Sequence, residues 1–150
     1  MDASLCSLKV KTGKLEWSGA NNPLWIIRAC HSEHSEESQD ASFLSMTNPE
    51  LIEVKPNKQP IGKFDNKKPF TNHSIQLQKG DTIYMFTDGY ADQFGGEKGK
   101  KYSKKAFREL VLSVAHLPLQ QQREALYNAH LQWSGNNQQV DDICVIGVRV

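Results

Sequence analysis

Apolar and polar residues alternate with a period of two over residues 4–10 and again over residues 15–20. Lys11-Thr12-Gly13-Lys14 between them has the composition of a turn, so the chain is expected to open with a β-hairpin. Residues 24–29 read as a further strand. It is reached through Gly19-Ala20-Asn21-Asn22-Pro23, where glycine permits unusual dihedrals, asparagine bonds nearby backbone and Pro23 drives Asn22 towards an extended conformation. Residues 50–54 predict a short strand, 56–68 a loop, and 74–78 an alternating strand that stops at Lys79-Gly80-Asp81. The next run, Thr82-Ile83-Tyr84-Met85-Phe86-Thr87, is almost continuously apolar or β-favouring. It predicts a strand buried on both faces, forming a hairpin with residues 74–78 and ending at Asp88-Gly89.

Beyond a loop rich in glycine and lysine the period changes. Ser103 can cap a helix in which Phe107, Leu110, Val111 and Val114 recur at helical spacing. Pro118 suits the first residue of a second helix presenting Leu119, Leu126, His130 and Trp133 to the core before Gly135 ends it, with His130 a packed side chain. A last strand covers residues 143–150. Antiparallel strands, then two helices, then one strand predict an α+β layer fold.

The length of 150 residues suits one domain. Its 38% hydrophobic residues and mean hydropathy of −0.58 lie on the polar side for a globular chain, which suggests that part of the core is missing. A net charge of +1 gives no global field to recruit nucleic acid or an anionic membrane, so partners must be recognised locally. Apolar runs at residues 83–86 and 144–148 fall far short of the roughly 20 needed to span a bilayer, and the N-terminus has no basic-then-apolar leader pattern, so a soluble cytoplasmic segment is expected. Cys6, Cys30 and Cys144 form no C-x-x-C pair and read as small buried apolar side chains. Residues 31–45, rich in Ser, Glu and His, read as an inserted loop; His31 and His34 within it lack the neighbours of a closed metal site.

Two carboxylate positions sit at strand boundaries, where a rigid β-element can hold an oxygen ligand at fixed depth. Asp88 follows the buried strand and precedes Gly89, which gives backbone room for a ligand or water; Asp141 and Asp142 precede the final strand. Adjacent aspartates repel unless neutralised, and a hard divalent cation is one neutraliser. An isolated Asp-Gly is usually only a turn.

Gly19-Ala20-Asn21-Asn22-Pro23-Leu24, then Gly80-Asp81-Thr82-Ile83-Tyr84-Met85-Phe86-Thr87-Asp88-Gly89-Tyr90-Ala91-Asp92, then Gln139-Val140-Asp141-Asp142-Ile143 closely resemble three ordered blocks of the stage II sporulation protein E-like phosphatases. These belong to the metal-dependent (PPM, type 2C) protein phosphatase superfamily. The resemblance covers essentially the whole chain apart from the 31–45 insertion. It implies a PPM-type β-sandwich flanked by helices, with two Mn²⁺ or Mg²⁺ ions bridged by a water whose lowered pKa makes it a nucleophile towards phosphoserine or phosphothreonine. It makes Asp88 and Asp141 metal ligands and Asp142 a neighbour with a weaker claim, with Gly89 and Asn22 beside the site. The implied partner is a phosphorylated regulatory protein such as an anti-sigma-factor antagonist.

Two departures matter. The family usually has threonine where this chain has Cys144, which should alter packing beside the metal. The family's Gly-Asp-Phe-Tyr-Asp-type block, which completes the binuclear site, has no counterpart, so residues 1–150 are expected to be a single partial phosphatase domain, incomplete at the N-terminal side. Metal binding is then expected to be weak or absent, activity of the chain alone absent, and exposed sheet edges to be covered in a homodimer. The alternative is a non-catalytic remnant that acts as a protein-interaction module.

Lys98, Lys100, Lys101, Lys104, Lys105 and Arg108 form a basic patch that could meet a phosphoprotein or a nucleic acid, beside the plainer reading of a solvated loop entering a helix; no aromatic platform or helix-turn-helix pattern accompanies it to bind nucleic acid. Gly95-Gly96-Glu97-Lys98-Gly99-Lys100 lacks the Gly-Lys-Ser/Thr ending of a phosphate-cradling loop.

Overall fold

The computed structural model describes residues 1–28, 49–63 and 65–150. Ala29, Cys30 and the expected insertion at 31–45, with His31 and His34, lie outside the described residues.

The first hairpin forms as its alternation predicts. β1 (Ala3–Lys9) pairs antiparallel with β2 (Lys14–Ala20), from Ala3 opposite Ala20 to Lys9 opposite Lys14. At the following corner Asn21 adopts a left-handed conformation (φ 60°), and β3 (Leu24–Arg28) starts after Pro23. Downstream come β4 (Glu50–Val54), β5 (His73–Gln76) and β6 (Thr82–Phe86). A short helix α1 (Gly89–Asp92) leads to a small hairpin, β7 (Phe94–Gly95) and β8 (Lys100–Lys101), where the sequence pattern gave only a loop. Helix α2 (Lys104–Val114) has Ser103 as its cap, the hydroxyl accepting from the Ala106 amide. Helix α3 (Leu119–Ser134) follows Pro118, which stands one position before the helix, and ends at Gly135. The last strand is β9 (Val145–Arg149), two residues later than its apolar run suggested.

The strands form two antiparallel sheets, ordered β1-β2-β5 and β4-β3-β6-β9. Period-two side chains on β3 and β6 build two cores. Leu24, Ile26 and Ile83 face the first sheet and pack with Leu15, Trp17 and Leu77. Trp25, Ile27, Tyr84 and Phe86 face the helices and pack with Tyr90, Phe107, Val111 and Leu126. The result is sheet on sheet on helices, the α+β sandwich expected. Aromatic packing concentrates at Phe107, whose ring centroid lies 4.4 Å from Tyr90, 5.1 Å from Phe86 and 5.3 Å from Trp25. Such pairs contribute about 0.5–1.5 kcal/mol each beyond their area. In α3, Leu126 is buried while Leu119, His130 and Trp133 are half-buried. Gln122, which the apolar pattern passed over, is fully buried, its amide donating to the Ala115 and Leu117 carbonyls and its oxygen accepting from the Tyr84 hydroxyl.

The expected hairpin between residues 74–78 and 82–87 does not form. β5 pairs with β2, while β6 pairs with β3 and β9 in the other sheet. Ile75 and Ile83 thereby contribute to the core between the sheets instead of lying side by side in one ladder. The crossing is fixed by Gly80 (φ 93°) and by Asp81, whose carboxylate accepts from the Gln78 amide (2.9 Å) and from Arg28 Nε (3.1 Å) and Nη2 (2.7 Å). Asp81 is 1% exposed, so its charge is compensated almost wholly by these donors. Replacing Asp81 with Ala should leave Arg28 and the Gln78 amide without their acceptor and lower unfolding free energy by roughly 2–4 kcal/mol in a denaturant titration; a change below about 0.5 kcal/mol would show the crossing to be held by packing alone.

Candidate functional site

The segments around Asp88 and around Asp141–Asp142 meet at the end of β6. Thr87 is the joint: its amide donates to the Cys144 carbonyl (3.0 Å), its hydroxyl accepts from the Cys144 amide (3.0 Å), and that hydroxyl donates to the Asp142 carbonyl (2.8 Å). Residues 142–144 are thus stitched to 87, far apart in sequence. Gly89 completes the contact, since an added Cβ would lie 2.4 Å from the Asp142 carbonyl oxygen and 3.2 Å from that of Asp141. The room that glycine was expected to leave for a ligand or water is instead filled by this backbone.

Asp88 stands at the N-terminal end of α1, its carbonyl accepting from the Asp92 amide (2.9 Å). Asp141 accepts from the Asp142 amide through Oδ1 (2.7 Å), and Gln139 Nε2 donates to the Asp141 carbonyl (2.8 Å), which holds the acidic turn in shape. Asp88, Asp141 and Asp142 are all exposed along this edge. Asn22 is buried at the β2–β3 corner and, with Ser4, Thr87 and Cys144, lines a small cleft of about 150 Å³ beside them. The structure therefore sets Gly89, next to Asp88, against the Asp141–Asp142 backbone, and places Asn22 in the cleft beside Thr87 and Cys144.

Carboxylate oxygens match Mg²⁺ or Mn²⁺, hard ions that take about six oxygen ligands. Among the described residues, however, no group of three or more His, Cys, Asp and Glu side chains converges. These aspartates therefore fit part of a divalent-cation shell and not a whole one. His130 is not part of this edge; its ring packs against Tyr90 (5.1 Å), and desolvation lowers its pKa, as suits a packed side chain. Cys6 is half-buried, and burial raises its thiol pKa. Cys144 departs from the buried position expected of it. It is exposed because β9 begins only at Val145 and residue 144 belongs to the loop tied to Thr87. In the sequence Thr87 was legible as the end of a strand and as the residue before Asp88 in the second motif block, but nothing local assigned its hydroxyl to residues 142–144.

A two-layer antiparallel sandwich with helices on one face and aspartates at the end of β6 and before β9 defines the class as the PP2C-type phosphatase fold. The chain belongs to the stage II sporulation protein E (SpoIIE) family, whose family model matches residues 1–150. Solved structures agree. The SiaA-PP2C domain of Pseudomonas aeruginosa is 26% identical with a TM-score of 0.78, covering 99% of this chain and 51% of that one. The phosphatase domain of SpoIIE from Bacillus subtilis is 18% identical with a TM-score of 0.57, covering 99% and 57%. The RsbU and RsbW domains of a Mycobacterium tuberculosis protein are 22% identical with a TM-score of 0.66, covering 99% and 35%. The chain thus spans between 35% and 57% of the length of these solved structures. No curated protein matches it significantly.

Replacing Gly89 with Ala should force the Asp141–Asp142 backbone away from α1, lowering stability by about 1–3 kcal/mol, the usual cost of overpacking. Amide NMR shifts concentrated at residues 141–144 would accompany the loss; an unchanged melting curve and spectrum would mean that the close approach is not maintained in solution.

Proposed function

We propose that this chain carries the Asp88 and Asp141–Asp142 side of a phosphatase domain that removes phosphate from phosphoserine or phosphothreonine in a bacterial regulatory protein of the cytoplasm. The observation that carries this reading is the juncture of Thr87, Gly89 and Asp142, which sets two separate acidic segments on one sheet edge. Membership of the SpoIIE family and the PP2C fold of its structural neighbours support it. The motif resemblance to the stage II sporulation protein E-like phosphatases supports a phosphorylated anti-sigma-factor antagonist as the class of substrate. Among the described residues no helix is long and apolar enough to cross a membrane, which suits such a partner.

In this reading Asp88 and Asp141 are metal ligands, Asp142 is their neighbour, and Gly89 and Asn22 shape the backbone around them. A bound Mn²⁺ or Mg²⁺ pair would supply an activated water and offset charge on the phosphoryl group. This chain's residues hold the acidic edge rigid: Thr87 fixes the depth of Asp142, and the Asp141 carboxylate closes its own turn. Since the donors fill only part of a shell, a complete domain is required for turnover, and we assign the chain to such a domain.

A second reading has its own support. With no three-donor cluster among the described residues, the isolated chain suits a non-catalytic interaction module. Calorimetric titration with Mn²⁺, with p-nitrophenyl phosphate turnover followed in the same samples, separates the two. Turnover by the 150-residue chain alone would sink the module reading. In a complete domain restored around the chain, Asp88→Asn should lower Mn²⁺ affinity and turnover at least about tenfold, because even outer partners of metal ligands are worth 10–100-fold. Full activity in that variant would remove Asp88 from the metal site.

A further inference from the structure

Between α1 and α2 the chain builds a hairpin that is bolted to the body of the domain. Gly95 backs onto Trp133 so closely that an added Cβ would lie 1.8 Å from the Trp133 carbonyl oxygen. The Gly96 amide donates to that same carbonyl (2.9 Å), and the Trp133 indole donates to the Gln93 carbonyl (3.0 Å). Gln93 is fully buried, its side-chain amide donating to the Phe94 and Gln138 carbonyls. Tyr102, just after β8, meets Tyr90 and Trp133 edge-on, with centroids 5.4 and 5.3 Å away. So many fixed contacts at the base hold the exposed residues 96–101 in one place.

Those residues are strongly basic. From 94 to 108 the chain has six basic residues, Lys98, Lys100, Lys101, Lys104, Lys105 and Arg108, against one acidic residue, Glu97. Lys101 pairs with Asp92 (2.8 Å), Lys104 with Glu53 (3.0 Å), and Lys105 approaches Glu109 (3.9 Å). Among the described residues Lys98 and Lys100 have no ion-pair partner. The base of the hairpin is tied through Lys101 to the helix that Asp88 precedes. Asp88 precedes α1, Asp92 ends it and holds Lys101, and four residues of helix span only about 6 Å. Exposed carboxylates at Asp88, Asp141 and Asp142 repel a phosphorylated surface, whereas exposed lysines attract an acidic one, an attraction screened beyond about a Debye length, roughly 10 Å at 0.1 M salt.

We propose that the β7–β8 hairpin is a rigid docking arm that receives an acidic surface of the phosphorylated protein presented to the Asp88 edge. The proposal deepens the phosphatase reading and rests on it for the identity of the partner. Lysines are hydrated point charges on flexible stems, so Lys98 and Lys100 steer the encounter and tighten the complex without fixing its register. Their effect falls on partner binding, and added salt weakens it.

The test uses fluorescein-labelled phosphoserine peptides with acidic or with lysine-rich flanks, titrated by anisotropy against the 150-residue chain. The acidic-flanked peptide should bind about tenfold more tightly than the other at low salt. Lys98→Glu combined with Lys100→Glu should abolish that preference, and the glutamine pair should halve it on a logarithmic scale. Both positions are exposed, so melting curves should be unchanged. An unphosphorylated acidic peptide should keep the preference, which isolates the arm from the phosphatase reading; failure of p-nitrophenyl phosphate turnover in a complete domain would count against that reading alone. Equal binding of the acidic peptide by wild type and variants would overturn the arm. So would tighter binding to phosphatidylserine-containing vesicles or to duplex DNA than to the acidic peptide.

Discussion

The rest of the structure depends on the burial of β6 on both faces. A strand with apolar side chains on both sides must be covered twice, here by the first sheet over Ile83 and by the helices over Tyr84 and Phe86. Its backbone must also be paired on both edges, by β3 and by β9. These demands fix the layer order, place the last strand beside β6, and carry Thr87 and Asp88 out at a rigid strand end. The partnership with β9 is what brings residues 141–144 to Thr87.

The packing of the chain is lopsided. Around Phe107 the aromatic cluster is complete, and the core between the sheets is closed by Leu15, Trp17, Leu24 and Ile83. Between α3 and β9, by contrast, runs an open groove of about 950 Å³ lined by residues such as Tyr84, Leu126, Ile143 and Val145. Tyr127, Leu131 and Ile146 are exposed on these elements, and β9 is an edge strand.

The hydroxyl of Thr87 and the missing side chain of Gly89 matter as much to the candidate site as its carboxylates. One supplies hydrogen bonds to both neighbouring segments, and the other permits a carbonyl to lie where a Cβ would stand. The same device recurs at Gly95, where the absence of a side chain lets the basic hairpin press against Trp133.

Local chemistry made much of this legible in the sequence. Alternation marked β1 and β2, and apolar or β-favouring runs marked β3, β4 and β6, to within a residue or two; Ser103 and Gly135 marked helix ends, and Asn21 marked its corner. Three ordered motif blocks named the family and singled out Asp88, Asp141 and Asp142 as candidate ligands. The alternation also determined which side chains share a face, because side-chain direction follows backbone period. Which strands pair was decided only by tertiary structure. Ile75 and Ile83 fit a hairpin locally, yet the core between the sheets separates them into different ladders. Burial of Gln122, exposure of Cys144 and the contact of Gly89 with Asp142 were equally invisible, since each depends on a surface supplied by residues distant in the chain. Period and composition act over a few neighbours; pairing and close approach are settled by what the whole fold must bury.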